Sequence, residues 1–140
     1  MSEIDKEFLR QKISQAEKYL EELKNFLKLS DPEISGDLKN RYALERVFLL
    51  LVEEMIDINN HLLKSLDVAV NDLRSSFGLL GEQGILNKEF AAKISLLTGV
   101  RNILVHQYEK INLELFLKNL RGNLDDFEKY FSSVIDFISK

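Results

Sequence analysis

Residues 99–108 read GVRNILVHQY and place an arginine, an asparagine, a histidine and a tyrosine in an otherwise apolar segment. On an α-helix, with about 100° per residue, the apolar side chains of this segment and the turn before it form one continuous stripe. The members of the stripe are Leu96, Leu97, Val100, Ile103 and Leu104. The pattern predicts a helix that buries this face against the core.

The other side of the same helix carries the polar side chains Arg101, Asn102, His106 and Tyr108, spread over roughly 160° of the helical wheel. A guanidinium group can hold two phosphate oxygens through its planar fork, and an imidazole exchanges protons near neutral pH. This face therefore predicts a phosphate-binding cation beside a proton-transfer group, near the helix end. An arginine and a histidine at a helix end can also simply complement the helix dipole, so both interpretations stay open at this point.

The composition predicts an all-α protein with one domain over residues 1–140. Hydrophobic residues make up 45% and charged residues 30% of the 140, and there are only one proline and six glycines to break helices. Apolar spacing and caps predict five helices with a connector at 30–37: from Ser2 to about 29, about 37–64, from Asn71 or Asp72 to about 83, from Asn87 to about 106–108, and from Asn112 to about 138.

Several functional classes are excluded by the sequence. No cysteine is present, and the carboxylates Glu53, Asp57 and Glu109 have no close histidine pair at ligand spacing, so we expect no metal and no cofactor. The first residues lack the apolar core of a signal peptide, and the longest apolar run spans six residues at 47–52, so we expect a cytoplasmic protein without membrane contact. A net charge of −4 restricts any nucleic-acid contact to a local patch.

The predicted second helix carries a polar line through an otherwise apolar middle. Glu53 and Asp57, followed by Asn60 and His61, each fall within about 60° of Arg46 on the wheel. Charges on a buried helix are costly unless they are paired. We therefore expect this line to face either the Arg101–His106 surface or a partner subunit. A stripe that simply faces solvent is the alternative.

Arg101, His106 and Tyr108 together spell R-x4-H-x-Y, which resembles the motif of HepT-like toxins in the HEPN superfamily of helical domains. The resemblance extends along the chain in the right order. Residues 41–46 and 57–62 resemble the two ends of the family's second helix, and residues 77–85, 100–108 and 111–113 resemble its second half.

The resemblance implies an HEPN-like antiparallel bundle that forms a two-fold dimer, with the two motifs in a shared cleft. It implies a metal-independent endoribonuclease, the toxin of a type VII HepT/MntA-like toxin–antitoxin system. It also implies a partner, a minimal nucleotidyltransferase antitoxin, that attaches AMP to Tyr108 and inactivates the toxin. The added charge and bulk at the phosphate site would repel RNA.

RNA carries its own nucleophile, the 2′-hydroxyl, so cleavage needs a base, an acid and a cation for the charged phosphorane. His106 is the candidate proton-transfer group, Arg101 the phosphate ligand, and Asn102 a residue that orients the ring or donates to phosphate, with Glu53 and Asp57 as supporting residues. One histidine does not easily make both proton transfers, so a second subunit is expected to supply the rest.

Two alternatives remain open at the level of sequence. The chain could be a non-catalytic helical module that binds a nucleotide or a nucleotidyltransferase subunit, or an adaptor whose polar motif only serves a dimer interface. Tyr108 could be a half-buried ring whose hydroxyl group merely finds a hydrogen bond.

Overall fold

All regular secondary structure in the described part of the chain, residues 4–70 and 75–140 of a computed structural model, is helical, as the composition predicts. In chain order the α-helices are α1 (Lys6–Phe26), α2 (Asp31–Ser35), α3 (Leu38–Ser65), α4 (Ser76–Glu82), α5 (Lys88–Ile94), α6 (Leu96–His106), α7 (Leu113–Gly122) and α8 (Leu124–Ile138), with a 3-10 turn at Tyr108–Lys110 between α6 and α7.

The helix α3 is the centre of the molecule, because its neighbours cover it on most sides. Most of its apolar residues from Leu44 to Leu63 are buried, and α1 runs antiparallel along it. The antiparallel direction follows from two contacts: the backbone N–H of Asp5 donates to Nε2 of His61, and Lys12 reaches Asp57 one turn earlier on α3. The nearly all-round apolar middle predicted from sequence is therefore explained by burial on several faces.

A buried hydrogen-bond network connects α3 to two of its neighbouring helices. Tyr130 on α8 donates to the Asn59 side chain or to the Met55 carbonyl, and Asn59 donates to Oγ of Ser76 on α4 at 3.0 Å. Tyr130 and Asn59 are fully buried, so each polar group needs this partner. The network ties α3, α4 and α8 into one arrangement.

Two of the predicted helices are each divided in the structure. The helix predicted from Asn87 breaks at Ser95, whose hydroxyl donates back to the Ala91 carbonyl at 2.7 Å, a bond that commonly bends helices. The helix predicted from Asn112 breaks at Asn123, which separates α7 from α8. The caps Asn87 and Asn112 are confirmed.

The predicted connector at 30–37 contains the short helix α2, which the sequence analysis missed. Ser30 and Glu33 form a capping box there, and Pro32 lies in the first turn, where a missing N–H costs nothing.

The predicted caps Ser2, Asn71 and Asp72 lie outside the described residues. In the structure, α1 is capped by Asp5 and α4 by Ser75.

Candidate active site

The three motif residues lie on α6 and directly after it. Arg101 is in the middle of α6, His106 is its last residue, and Tyr108 begins the 3-10 turn. Gln107, with φ −140° and ψ 46°, leaves the helical conformation and turns the chain between them. The predicted placement at a helix end is confirmed. Tyr108, however, lies outside α6, so its predicted place on the polar face of the same helix as Arg101 is wrong.

His106 is exposed, as the hypothesis of a proton-transfer group requires. Together with Asn102, Ile103 and Gln107 it lines an open surface depression of about 470 Å³. Asn102 and His106 are one helical turn apart and border the same space, as their spacing predicts. A ligand in this depression would meet the imidazole ring and the amide together.

Arg101 lies beside this depression and is only loosely held. Its Nη1 donates to Oδ1 of Asn102 at 3.1 Å, and its Nη2 is 3.9 Å from Oε1 of Glu53. Its Nε is buried and has no hydrogen-bond partner within the described part of the chain. Because the pair with Glu53 is long and both side chains are partly exposed, it contributes little to stability. An incoming oxyanion can therefore replace the carboxylate at the Nη groups of Arg101.

Tyr108 is held by two residues of α3 that the sequence analysis did not single out. Its hydroxyl donates to Oε1 of Glu45 at 2.6 Å, and Nε of Arg41 donates to Oε2 of the same carboxylate at 3.3 Å. The Arg41 guanidinium carbon lies 5.5 Å from the centre of the Tyr108 ring. Burial and the hydrogen bond to Glu45 raise the pKa of Tyr108 to about 12.

The signal for this cluster was present in the sequence only in part. Arg41 and Glu45 are four residues apart on α3, which indicates an ion pair along the helix. Nothing in that spacing indicates that the pair meets Tyr108, 63 positions later in the chain.

The polar line of α3 does not act as one surface. Glu53 faces Arg101, as expected, but Asp57 turns to α1 and accepts a hydrogen bond from Lys12 at 3.1 Å. His61 accepts from the backbone of Asp5, also on the α1 side. The physical reason is that one helical face, four turns long, is covered by different neighbours at its two ends. The structure therefore brings Glu53, but not Asp57, to the motif.

The predicted burial of the apolar stripe of α6 is also wrong in part. Leu104 is buried, but Val100 and Ile103 are only half covered, and Leu96 is 70% exposed. Where α5 and α6 face α7 and α8, the stripe borders a cavity of about 200 Å³ that is also lined by Phe116. In this chain alone, the helix that carries the motif thus keeps an uncovered apolar strip.

Among residues 4–70 and 75–140, no cluster of three or more His, Asp and Glu side chains is arranged to hold a metal ion. None of the helices in these ranges combines the length and apolar character that a bilayer crossing requires.

The model of the family described as ribonuclease HepT-like matches residues 16–134, most of the chain. This chain belongs to the HepT-like ribonuclease family. The predicted family resemblance is thereby confirmed, and the fold around the R-x4-H-x-Y motif is a HepT-like fold.

Individual relatives agree with the family assignment. The chain is 26% identical over 139 residues to a protein named tRNA nuclease HepT from Aphanizomenon flos-aquae. The match covers 99% of this chain and 95% of that protein. It is 31% identical over 127 residues to a putative RNase from Archaeoglobus fulgidus, with 89% and 96% covered.

A solved structure has the same HepT-like architecture. The tri-AMPylated HEPN toxin of Shewanella oneidensis, in complex with an MNT antitoxin, matches with a TM-score of 0.82 and 21% identity over 97% of this chain and 99% of that chain. At this identity the likeness shows the fold, and the predicted HEPN-like helical bundle is confirmed.

Proposed function

We propose that this chain is the toxin of a type VII toxin–antitoxin pair. In this proposal it is a cytoplasmic, metal-independent endoribonuclease that acts as a two-fold dimer of one HEPN-like domain, residues 1–140. A minimal nucleotidyltransferase antitoxin inactivates it by AMPylation of Tyr108. Family membership and the nuclease named among its relatives support RNA cleavage, and the antitoxin-bound Shewanella toxin of the same fold supports the regulatory part.

The observation that carries the proposal is the open end of α6. The imidazole of His106 is exposed in the depression that it shares with Asn102, and Arg101 lies beside it with a buried Nε that has no partner in the described part of the chain. A phosphodiester in the depression would offer that guanidinium two oxygens and bring a 2′-hydroxyl to the imidazole.

The chemistry then follows from the properties of RNA. His106 takes the proton of the 2′-hydroxyl, whose oxygen attacks the adjacent phosphorus. Arg101 stabilises the extra charge on the phosphorane, and the 5′-oxygen of the next nucleotide leaves with a proton. Asn102 orients the ring or donates to the phosphate. Glu53 makes a weak contact with Arg101, with 3.9 Å between Oε1 and Nη2, and the phosphate replaces it there.

A dimer supplies the second proton-transfer group. The apolar strip of α6 runs from the 70% exposed Leu96 through Val100 to Ile103, which borders the same depression as His106. A second copy that covers this strip would bring its own motif next to the first. Two histidines would then share the roles of base and acid.

Purified protein incubated with cellular RNA tests the nuclease proposal. We expect His106→Ala to slow cleavage by about 10²–10⁴-fold, the usual contribution of a general acid or base, and Arg101→Ala to slow it by at least about 100-fold. His61→Ala is the matched control, since it removes the other histidine of the chain at the α1 side of α3. It should cut RNA at the wild-type rate.

The alternative function gives a different result. A non-catalytic module that binds a nucleotide or a nucleotidyltransferase would leave RNA intact in every sample, including wild type. Equal cleavage by wild type, His106→Ala and Arg101→Ala would contradict the proposed roles of these residues.

A further inference from the structure

A buried charge cluster on α3 meets the hydroxyl group that the proposed antitoxin modifies. Glu45 is only 4% exposed, which is unusual for a carboxylate. Each of its oxygens has one donor, Tyr108 on Oε1 and Arg41 on Oε2. A buried carboxylate is costly unless it is paired and hydrogen-bonded, and Arg41 supplies the compensating charge. The chain therefore places a carboxylate that is paired with a guanidinium group at this one hydroxyl.

The orientation of Tyr108 suits a reaction at its oxygen. The hydroxyl group of Tyr108 donates its hydrogen to Glu45, which fixes the position of the oxygen. The residue is 36% exposed, so the ring remains accessible from solvent. With a pKa of about 12, only roughly one Tyr108 in 10⁵ is ionised at pH 7. A nucleophile of this kind needs an adjacent base to remove its proton as the new bond forms.

We propose that Glu45 is the general base for nucleotidyl transfer to Tyr108, so that the toxin itself provides the group that activates its own acceptor. The inference rests on the proposed function, because it requires Tyr108 to be the modified residue. It goes beyond that function by assigning a catalytic role to a residue outside the R-x4-H-x-Y motif.

The step balances as follows. The Tyr108 hydroxyl oxygen attacks the α-phosphorus of a nucleoside triphosphate held by the antitoxin. The new oxygen–phosphorus bond forms while the bond from the α-phosphorus to the bridging oxygen breaks, and pyrophosphate leaves. The phenolic proton moves along the existing 2.6 Å hydrogen bond to Oε1 of Glu45 and passes from there to water.

Arg41 assists in two ways. Its Nε fixes the carboxylate that receives the proton, and its guanidinium group, 5.5 Å from the Tyr108 ring centre, brings a positive charge to the place where an anionic phosphate must approach. Arg41 and Glu45 are one turn apart on the rigid helix α3, so their relative geometry is set before any partner binds.

The test measures AMP transfer from ATP to the full chain by a purified minimal nucleotidyltransferase antitoxin, between about pH 6 and pH 9. In Glu45→Gln the side chain keeps its shape and can still accept the hydrogen bond, but it cannot take the proton. We expect transfer at pH 7 to fall by at least about 100-fold. The residual rate should rise about tenfold per pH unit, because the phenolate must now form first.

Two variants of glutamates on α3 make the comparison specific. Glu54→Gln also removes a partly buried carboxylate that is paired with a lysine, Lys12 at 3.3 Å, and should transfer AMP at the wild-type rate. Glu45→Asp retains a carboxylate one methylene further away. It should be slower than wild type and keep the wild-type pH profile, and it serves if Glu45→Gln does not fold.

The outcomes separate this inference from the proposed function. If Glu45→Gln transfers AMP within a few-fold of wild type, or is slow with an unchanged pH profile, Glu45 only positions the ring and the inference is overturned while Tyr108 remains the acceptor. If wild type takes no AMP, or Tyr108→Phe takes as much as wild type, the proposed regulation fails, and the role of Glu45 fails with it.

Discussion

At the scale of the residue, the contrast between Tyr108 and Arg101 decides how the site works. The Tyr108 hydroxyl group has a short bond to a buried carboxylate, whereas the guanidinium group of Arg101 has one amide contact, a weak ion pair at 3.9 Å and an unpartnered Nε. The first group is fixed in place, and the second is ready to accept a ligand. The proposed modification and the proposed phosphate binding would therefore involve side chains that are held separately, Tyr108 just after α6 and Arg101 within it.

The raised pKa of Tyr108 is directly measurable. At about pH 10.5 a free tyrosine is mostly ionised, but Tyr108, with a pKa of about 12, should still be protonated. The tyrosinate absorbance of wild type minus that of Tyr108→Phe should therefore be near zero at this pH. A difference equal to that of one free tyrosine would contradict the buried contact with Glu45.

The same shift makes stability depend on alkaline pH. Because the folded-state pKa lies above the ordinary value of 10.0, the protonated phenol favours the folded state. Its contribution is complete below about pH 10 and is lost as the pH rises to about 12. Denaturant titrations should show the free energy of unfolding falling more steeply over this interval in wild type than in Tyr108→Phe.

At the scale of the element, the close crossing of α4 and α5 sets where α6 begins. Gly81 is buried at this crossing, and a Cβ atom added to it would lie 2.6 Å from Cβ of Ala91. Neither atom can move without its backbone, so the two helices would have to separate. Since α5 leads into α6 at Ser95, the crossing also positions the motif helix.

Gly81→Ala should therefore lower the free energy of unfolding by about 1–3 kcal/mol, as overpacking usually does. Gly122→Ala is the control, because a Cβ atom there meets nothing within 4 Å, and it should stay within about 0.5 kcal/mol of wild type. In the double variant with Ala91→Gly, part of the loss should be recovered. A Gly81→Ala variant as stable as wild type would contradict the close crossing.

At the scale of the whole molecule, the uncovered strip of α6 is the feature that the isolated chain leaves unexplained. Leu96, Val100 and Ile103 follow one face of α6 up to the depression beside His106. Several apolar side chains that remain exposed to water along one helix face indicate an interaction surface. A two-fold dimer across this strip would cover it and complete the proposed site.

Leu96→Lys should convert the proposed dimer into a monomer in analytical ultracentrifugation and should lower RNA cleavage with it, because it places a charge in the proposed interface. The monomer should remain folded, since Leu96 is exposed. Ile135→Lys introduces the same charge at another exposed apolar position, on α8, and should leave the dimer intact. A monomeric wild type that cuts RNA at full rate would contradict the dimeric site.

Much of this architecture could be predicted from local pattern. Helical periodicity predicts α1 and α3 to within a few residues, except at the start of α1. Asn87 and Asn112 indicate the starts of α5 and α7, because their side chains accept hydrogen bonds from the free N–H groups there. The breaks at Ser95 and Asn123 could not be predicted in this way. Apolar spacing continues through both breaks and therefore does not reveal them, and at Ser95 the hydroxyl bond to the Ala91 carbonyl accompanies the bend.

The sequence by itself determined the helical class, the family motif and the exposed histidine at the end of its helix, because all three depend on residues within a few turns of one another. Only the tertiary structure decided that Glu45 holds Tyr108, that Asp57 turns to Lys12, and that Leu96 stays uncovered. A helical wheel gives the order of side chains around one axis. Which neighbour lies against each sector depends on contacts between segments far apart in the chain, such as the 63 positions that separate Glu45 from Tyr108.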